Sequence, residues 1–102
     1  MNKFYQMLIQ QKQEGSKGSF YVEDNGNVLA EMTYSMTGID LMIINHTEVA
    51  DELRGQHVGY QLVNAAVEYA RAGNIKIIPL CPFAKSVFVK KSAEFGDVLR
   101  TN

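Results

Sequence analysis

The spacing of apolar residues changes once along this chain, and the change restricts the architectures open to it. Before position 50, Leu41, Ile43, Asn45, Thr47 and Val49 alternate with Met42, Ile44, His46 and Glu48, the period of an extended strand. From Val58 onward, Leu62, Ala65, Ala66 and Tyr69 recur at three and four residues, with Gln61, Asn64 and Glu68 on the other side. That spacing predicts a helix lying on a core, stopped by Gly73-Asn74. Upstream, Phe20-Tyr21-Val22 and Val28 to Tyr34 flank Asp24-Asn25-Gly26-Asn27. Asn-Gly tolerates positive φ at both turn positions and signals a hairpin. A second turn at Thr37-Gly38 leads into a long strand over Ile39 to Val49, and Phe4 to Gln13 reads as an opening strand. Downstream, Ile75 to Ile78 predicts a short buried strand ended by Pro79 and Cys81-Pro82, and Ala84 to Lys91 a second helix with Val87 and Phe88 inward. Antiparallel strands followed by strand, helix, strand, helix imply an α/β fold on a mixed sheet, because a crossover helix makes its flanking strands parallel.

Composition narrows the function classes. The chain has 102 residues, 46% hydrophobic and 21% charged, which suits one folded domain over 1–102 and excludes disorder. No apolar run reaches the ~20 residues of a membrane span. Met1 to Gln6 lacks the pattern of a leader, so no membrane partner and a cytoplasmic location are expected. One cysteine, Cys81, with only His46 and His57, excludes an internal disulfide and a clustered zinc motif. Ten basic against eleven acidic residues argue against a nucleic-acid binder. The balance is uneven, however: residues 1–50 hold three lysines and six acids, residues 51–102 seven basic and five acidic groups. An anionic ligand is expected to meet the second half. Glu14 to Ser19 and the C-terminal tail are candidate flexible segments, and Met1, Met7, Met32, Met36 and Met42 read as core filling.

The stretch from His46 to Tyr60 carries the chemistry. It sets a strand end, a turn with Arg54 and Gly55, and the first turn of the long helix, with Gly59, in succession. The first N–H groups of a helix have no internal partner and lie at the positive end of its dipole, so they suit a phosphate. Gly55 and Gly59 leave room for a ligand to approach the backbone, and Arg54 adds a cation. A plain strand-to-helix turn with a surface arginine is the alternative. The pattern is neither a Walker P-loop nor a GxGxxG fingerprint.

Val49 followed by Arg54-Gly55-Gln56-His57-Val58-Gly59 resembles the phosphate-binding pattern of the GNAT superfamily of acetyltransferases, Arg/Gln-x-x-Gly-x-Gly/Ala after a strand ending in Val. The first Gly of that pattern falls on His57. His46-Thr47-Glu48-Val49, Leu53-Arg54-Gly55, Cys81-Pro82-Phe83-Ala84 and Phe95 to Leu99 further resemble a short, stand-alone GNAT-like subfamily that binds acetyl-coenzyme A. The resemblance implies a GNAT-like fold with a splayed parallel strand pair, and acetyl-coenzyme A as the ligand. It implies backbone hydrogen bonds from Val49 to the pantetheine and acetyl group, with Arg54, Gly55, Gln56, His57, Val58, Gly59 and Tyr60 around the pyrophosphate.

Two residues are candidate catalytic groups. Cys81 follows the second parallel strand, where the resemblance places the acetyl thioester, and its thiolate is a candidate acceptor of the acetyl group; a buried packing cysteine is the alternative. Glu48 occupies a strand on which GNAT enzymes often carry a general base, and the alternation puts it on one face with His46. Where the family often has a proton-donating Tyr on the last helix, this chain has Phe88. The dozen or so residues beyond that helix are too few for the terminal hairpin expected around an acceptor. Lys76, Lys85, Lys90 and Lys91 lie in a stretch without acids, and lysines near the turn would suit the 3′-phosphate. The expected function is an acetyl-coenzyme A-binding protein, and transfer goes to an unknown amine or protein acceptor, by way of Cys81 or directly. The alternative is a sensor or carrier that binds without efficient transfer. A monomer with no metal is expected.

Overall fold

Asn25 and Gly26 adopt φ angles of 52° and 84° and close a two-residue turn between Asp24 and Asn27, which pair across it. This primed turn matches the right-handed twist of strands and sets the hairpin register. In the computed structural model, which describes residues 8–100, the hairpin is the centre of a five-stranded sheet. Its strands are β1 (Gln10–Glu14), β2 (Lys17–Asp24), β3 (Asn27–Thr37), β4 (Leu41–Val49) and β5 (Lys76–Pro79), adjacent in chain order. The first four are antiparallel and β4 pairs with β5 in parallel. The crossover is helix α1 (Val58–Gly73); α2 (Pro82–Lys90) and the short α3 (Ser92–Phe95) follow β5. The mixed α/β fold is as the period change predicts. Of the expected opening strand, Gln10 to Gln13 is strand, and Phe4 to Met7 lies outside the described residues.

Alternation on the strands builds one apolar face. Phe20 and Val22 from β2, Ala30, Met32 and Tyr34 from β3, Met42 and Ile44 from β4 and Ile77 from β5 are buried. Against them α1 lays Val58, Leu62, Val63, Ala66, Val67 and Ala70, each large side chain contributing about 1.5–3 kcal/mol by leaving water. The buried stripe of α1 is rotated from the one the sequence suggests. Val63 and Val67 point inward, while Tyr69 sits on the flank with its ring edge-on to Phe20 at 6.0 Å. The helix ends as expected, with Asn74 in a left-handed cap at φ 56°. Phe88 is buried edge-on to Phe95, which also stacks on Tyr60.

One expected flexible segment, and the described part of the other, are held by specific contacts; Thr101 and Asn102 of the C-terminal tail lie outside the described residues. Gly15, at φ 64°, reduces the Glu14 to Ser19 stretch to a tight turn, with Glu14 and Lys17 already paired as strand. At the other end, Arg100 N–H donates to Ile77 O at 2.9 Å, so the chain after α3 lies along the outer edge of β5. Arg71 of α1 holds the same segment through two 2.8 Å bonds to the Asp97 carboxylate and one to Glu94 O.

Candidate functional site

Thr33 pairs with His46 but Tyr34 pairs with Ile44, so Asn45 is an extra residue in β4. The bulge inverts the phase of everything after it. Before it Met42 and Ile44 face the core; after it Thr47 and Val49 do, and His46 and Glu48 turn to the outer face. The uninterrupted alternation expected from sequence is therefore broken within the strand. Pairing with β5 also ends here, at Ile44 and Pro79. Ile44 O accepts from both Leu80 N–H, at 3.0 Å, and Cys81 N–H, at 3.2 Å, and β5 then leaves for α2. Ala50 N–H is used by Leu29 O of β3 at 2.8 Å. Successive residues of a strand address opposite edges, so the N–H and C=O of Val49 face the gap opened between β4 and β5.

Beyond Val49, a 3-10 turn over Asp51–Leu53 buries Leu53 and brings the chain to Arg54. Gly55 at φ 82° and His57 at φ 58° then reverse it into α1. The first helical bond is Gln61 N–H to His57 O at 3.0 Å, and no side chain caps the helix. The amides of Val58, Gly59 and Tyr60 are thus left without helical partners. The left-handed conformation at His57 explains why the matching position of the resembled pattern is glycine: a side chain there costs about 1–2 kcal/mol. We expect His57→Gly to raise stability by about 1 kcal/mol and the melting temperature by roughly 4–8 °C, read by thermal circular dichroism. An unchanged or lower melting temperature would show that the imidazole is held by a compensating contact.

These elements wall an open groove of about 1100 Å³ between the start of α1 and one face of α2. Val49, Arg54, Gly55, Gln56, His57, Val58, Gly59 and Tyr60 all line it. Opposite them α2 contributes Phe83, Ser86, Val87 and Lys90, spaced at three and four residues and hence on one helix face, and Lys91 follows at the C-cap of that helix. Sequence reading put Val87 inward and named the two lysines among several; it quoted Phe83 only as part of the Cys81-Pro82-Phe83-Ala84 block, without a place in the site, and missed Ser86, although their spacing from Lys90 was the available signal. Arg54, Lys90 and Lys91 are cationic, and no carboxylate lines the groove among the described residues. Arg54 Nε is bonded to Asp51 at 2.9 Å with both side chains well exposed. A pair so exposed is worth at most about 1 kcal/mol, so an incoming anion can compete for the guanidinium. Lys91 Nζ lies 5.4 Å over the Tyr60 ring, whereas Lys76 is committed elsewhere, donating to Asp97 O at 2.6 Å.

The two candidate catalytic residues fall on opposite sides of β4. Cys81, only 4% exposed, sits behind the groove wall, its thiol donating to the Thr47 hydroxyl at 3.4 Å; Thr47 itself lines the groove. Burial pushes the Cys81 thiol up, but the Thr47 hydroxyl and the amides of Ala84 and Phe83 at the start of α2 outweigh it and hold the thiol below its ordinary value. Glu48 lies on the outer face with its side chain 79% exposed, 3.4 Å from His46 Nε2. The structure brings Cys81, Thr47 and Val49 to one place and leaves Glu48 and His46 together on the other face.

A sequence profile of the GCN5-related N-acetyl-transferase family matches residues 19–98. The chain belongs to this family. A GCN5-like candidate N-acetyltransferase from Staphylococcus aureus, solved by NMR, is 42% identical, with a TM-score of 0.67 over 91% of this chain and 89% of that one. A ribosomal-protein-alanine N-acetyltransferase from Brucella melitensis biovar Abortus 2308 shares the fold at a TM-score of 0.64 and 14% identity; 76% of this chain covers 62% of it. The fold also matches AAC(6')-Iy in complex with the bisubstrate analog CoA-S-monomethyl-acetylneamine, at a TM-score of 0.52 and 14% identity over 87% of this chain and 68% of that one. No curated protein matches the chain.

Proposed function

We propose that the groove binds acetyl-coenzyme A and that the chain passes the acetyl group to an amine, with Cys81 as the first acceptor. The observation that carries this reading is the groove's chemistry: three cations, the unpartnered amides of a helix start, no carboxylate among the described lining residues, and a lowered thiol one side chain behind its inner end. Arg54 and the α1 amides suit the pyrophosphate. The edge of Val49 suits the pantetheine, and Lys90 and Lys91 suit the 3′-phosphate. In the transfer, the Cys81 thiolate attacks the thioester carbonyl, the new S–C bond replaces the one to coenzyme A, and coenzyme A leaves as a thiolate that takes a proton from water. The acceptor amine then attacks the acetyl-cysteine, regenerates the thiol and loses a proton to solvent. A second reading, binding without efficient transfer, is favoured by Phe88, which is buried and carries no proton to give.

Titration with acetyl-coenzyme A is expected to shift the amide resonances of residues 54–60, and ATP is not. Calorimetry should show coenzyme A binding about tenfold more tightly than dephospho-coenzyme A, a preference that Lys90→Ala/Lys91→Ala abolishes and high salt reduces. No shift at residues 54–60 would remove the groove as the cofactor site. Release of free coenzyme A thiol on addition of amines separates transfer from binding alone.

A further inference from the structure

A Cβ built on Gly59 would lie 2.6 Å from Cζ and 2.8 Å from Cε2 of Phe83. The ring of the first groove-facing residue of α2 therefore rests directly on the second residue of α1. Contact at ordinary van der Waals distance begins at 3.4 Å, so any side chain at position 59 drives the ring off its seat. This differs from what the glycine suggests in sequence, a gap kept open for phosphate. The space over Gly59 is already filled, by an aromatic ring from 24 positions further along the chain.

Phe83 itself is 41% exposed and lines the groove. It stands two residues after Cys81 and seven before Lys90 on the same helix. Seven residues of helix span about 10 Å, so the ring occupies the inner part of the groove, between the thiol and the lysine end. Its groove-facing companion one turn on is Val87. An exposed aromatic ring beside an aliphatic side chain, pinned from beneath by a glycine, is a preformed apolar wall rather than a polar contact. We propose that Gly59 serves to seat Phe83, and that the seated ring is the surface the pantetheine arm of coenzyme A packs on. The inference rests on the cofactor reading given above and assigns the part of the ligand that two of its residues recognise.

The two roles for Gly59 are separable by a double-mutant cycle. Gly59→Ala is expected to weaken coenzyme A binding about tenfold in the wild-type background and less than about twofold in a Phe83→Ala background. Phe83→Ala alone should weaken coenzyme A about tenfold and leave adenosine 3′,5′-bisphosphate, which has no pantetheine arm, unaffected within about twofold in an NMR titration. Thermal melts of all four proteins report folding; a Gly59→Ala protein that melts early should be rescued by Phe83→Ala, since removing the ring removes the clash. Equal losses from Gly59→Ala with and without Phe83, or equal losses from Phe83→Ala for the two ligands, would overturn the seat while leaving the cofactor reading intact. A wild-type protein that binds neither ligand would overturn both.

Discussion

Incubation with acetyl-coenzyme A near neutral pH is expected to add one acetyl group to the protein, and Cys81→Ala to abolish the adduct completely, as intact mass would show. The thiol is buried, which alone would keep it protonated, yet the Thr47 hydroxyl at 3.4 Å and the amides opening α2 hold it below its ordinary value of 9.0. A lowered thiol has more thiolate at any pH below its ordinary range, so adduct formation should rise with pH and level off earlier than for a free cysteine. Thr47→Val removes one of the groups that favour the thiolate and should move the profile to higher pH. Each unit of that movement lowers the neutral-pH thiolate fraction about tenfold. Thr47→Ser keeps the hydroxyl and should keep the profile. An adduct that survives Cys81→Ala, or none formed on a protein that binds the cofactor, would make Cys81 a packing residue and leave direct transfer, or binding alone, as the function.

The largest loss of stability is expected from Gly18→Ala. A Cβ at this position of β2 would lie 2.6 Å from Lys12 O of β1 and 2.6 Å from both Cζ and the hydroxyl oxygen of Tyr34. The tyrosine is fully buried, and its hydroxyl donates to Gln13 Oε1 and accepts from Gln11 Nε2, both at 2.8 Å. Relief requires either parting β1 from β2 or expelling Tyr34, with loss of both hydrogen bonds. The cost should be about 3 kcal/mol or more, which lowers the melting temperature of a domain this size by roughly 12 °C or more. Gly96→Ala is the control: its added Cβ meets nothing within 4 Å and its φ of −63° suits any residue, so its melting temperature should stay within about 2 °C. A Gly18→Ala protein that melts like the control would show that the strand pair can open without cost.

Much of the architecture was legible because it is written in neighbours. The Asn25-Gly26 turn, the period change after Val49 and the stop at Gly73-Asn74 each depend on residues within a few positions of one another, where φ preference and side-chain direction act locally. The start of α1 was legible for the same reason: an uncapped helix following a strand, with a glycine and an arginine in the turn, exposes its amides whatever surrounds it. The eight residues from Val49 and from Arg54 to Tyr60 that line the groove follow from that turn.

What the tertiary structure alone decided lies between residues far apart in sequence. Asn45 is an extra residue only because β3 pairs on both sides of it, and this one insertion puts Thr47 beside Cys81 and turns Glu48 to the opposite face. Gly18 and Gly59 look like turn or ligand glycines in sequence, but each makes room for an aromatic ring, Tyr34 and Phe83, that only folding brings there. Lys76 and Lys90 are equivalent in composition, and packing commits the first to Asp97 O and the second to the groove. Backbone preference is a property of a residue and its neighbours. The occupant of a given volume is settled only when the whole core closes at crystal-like density.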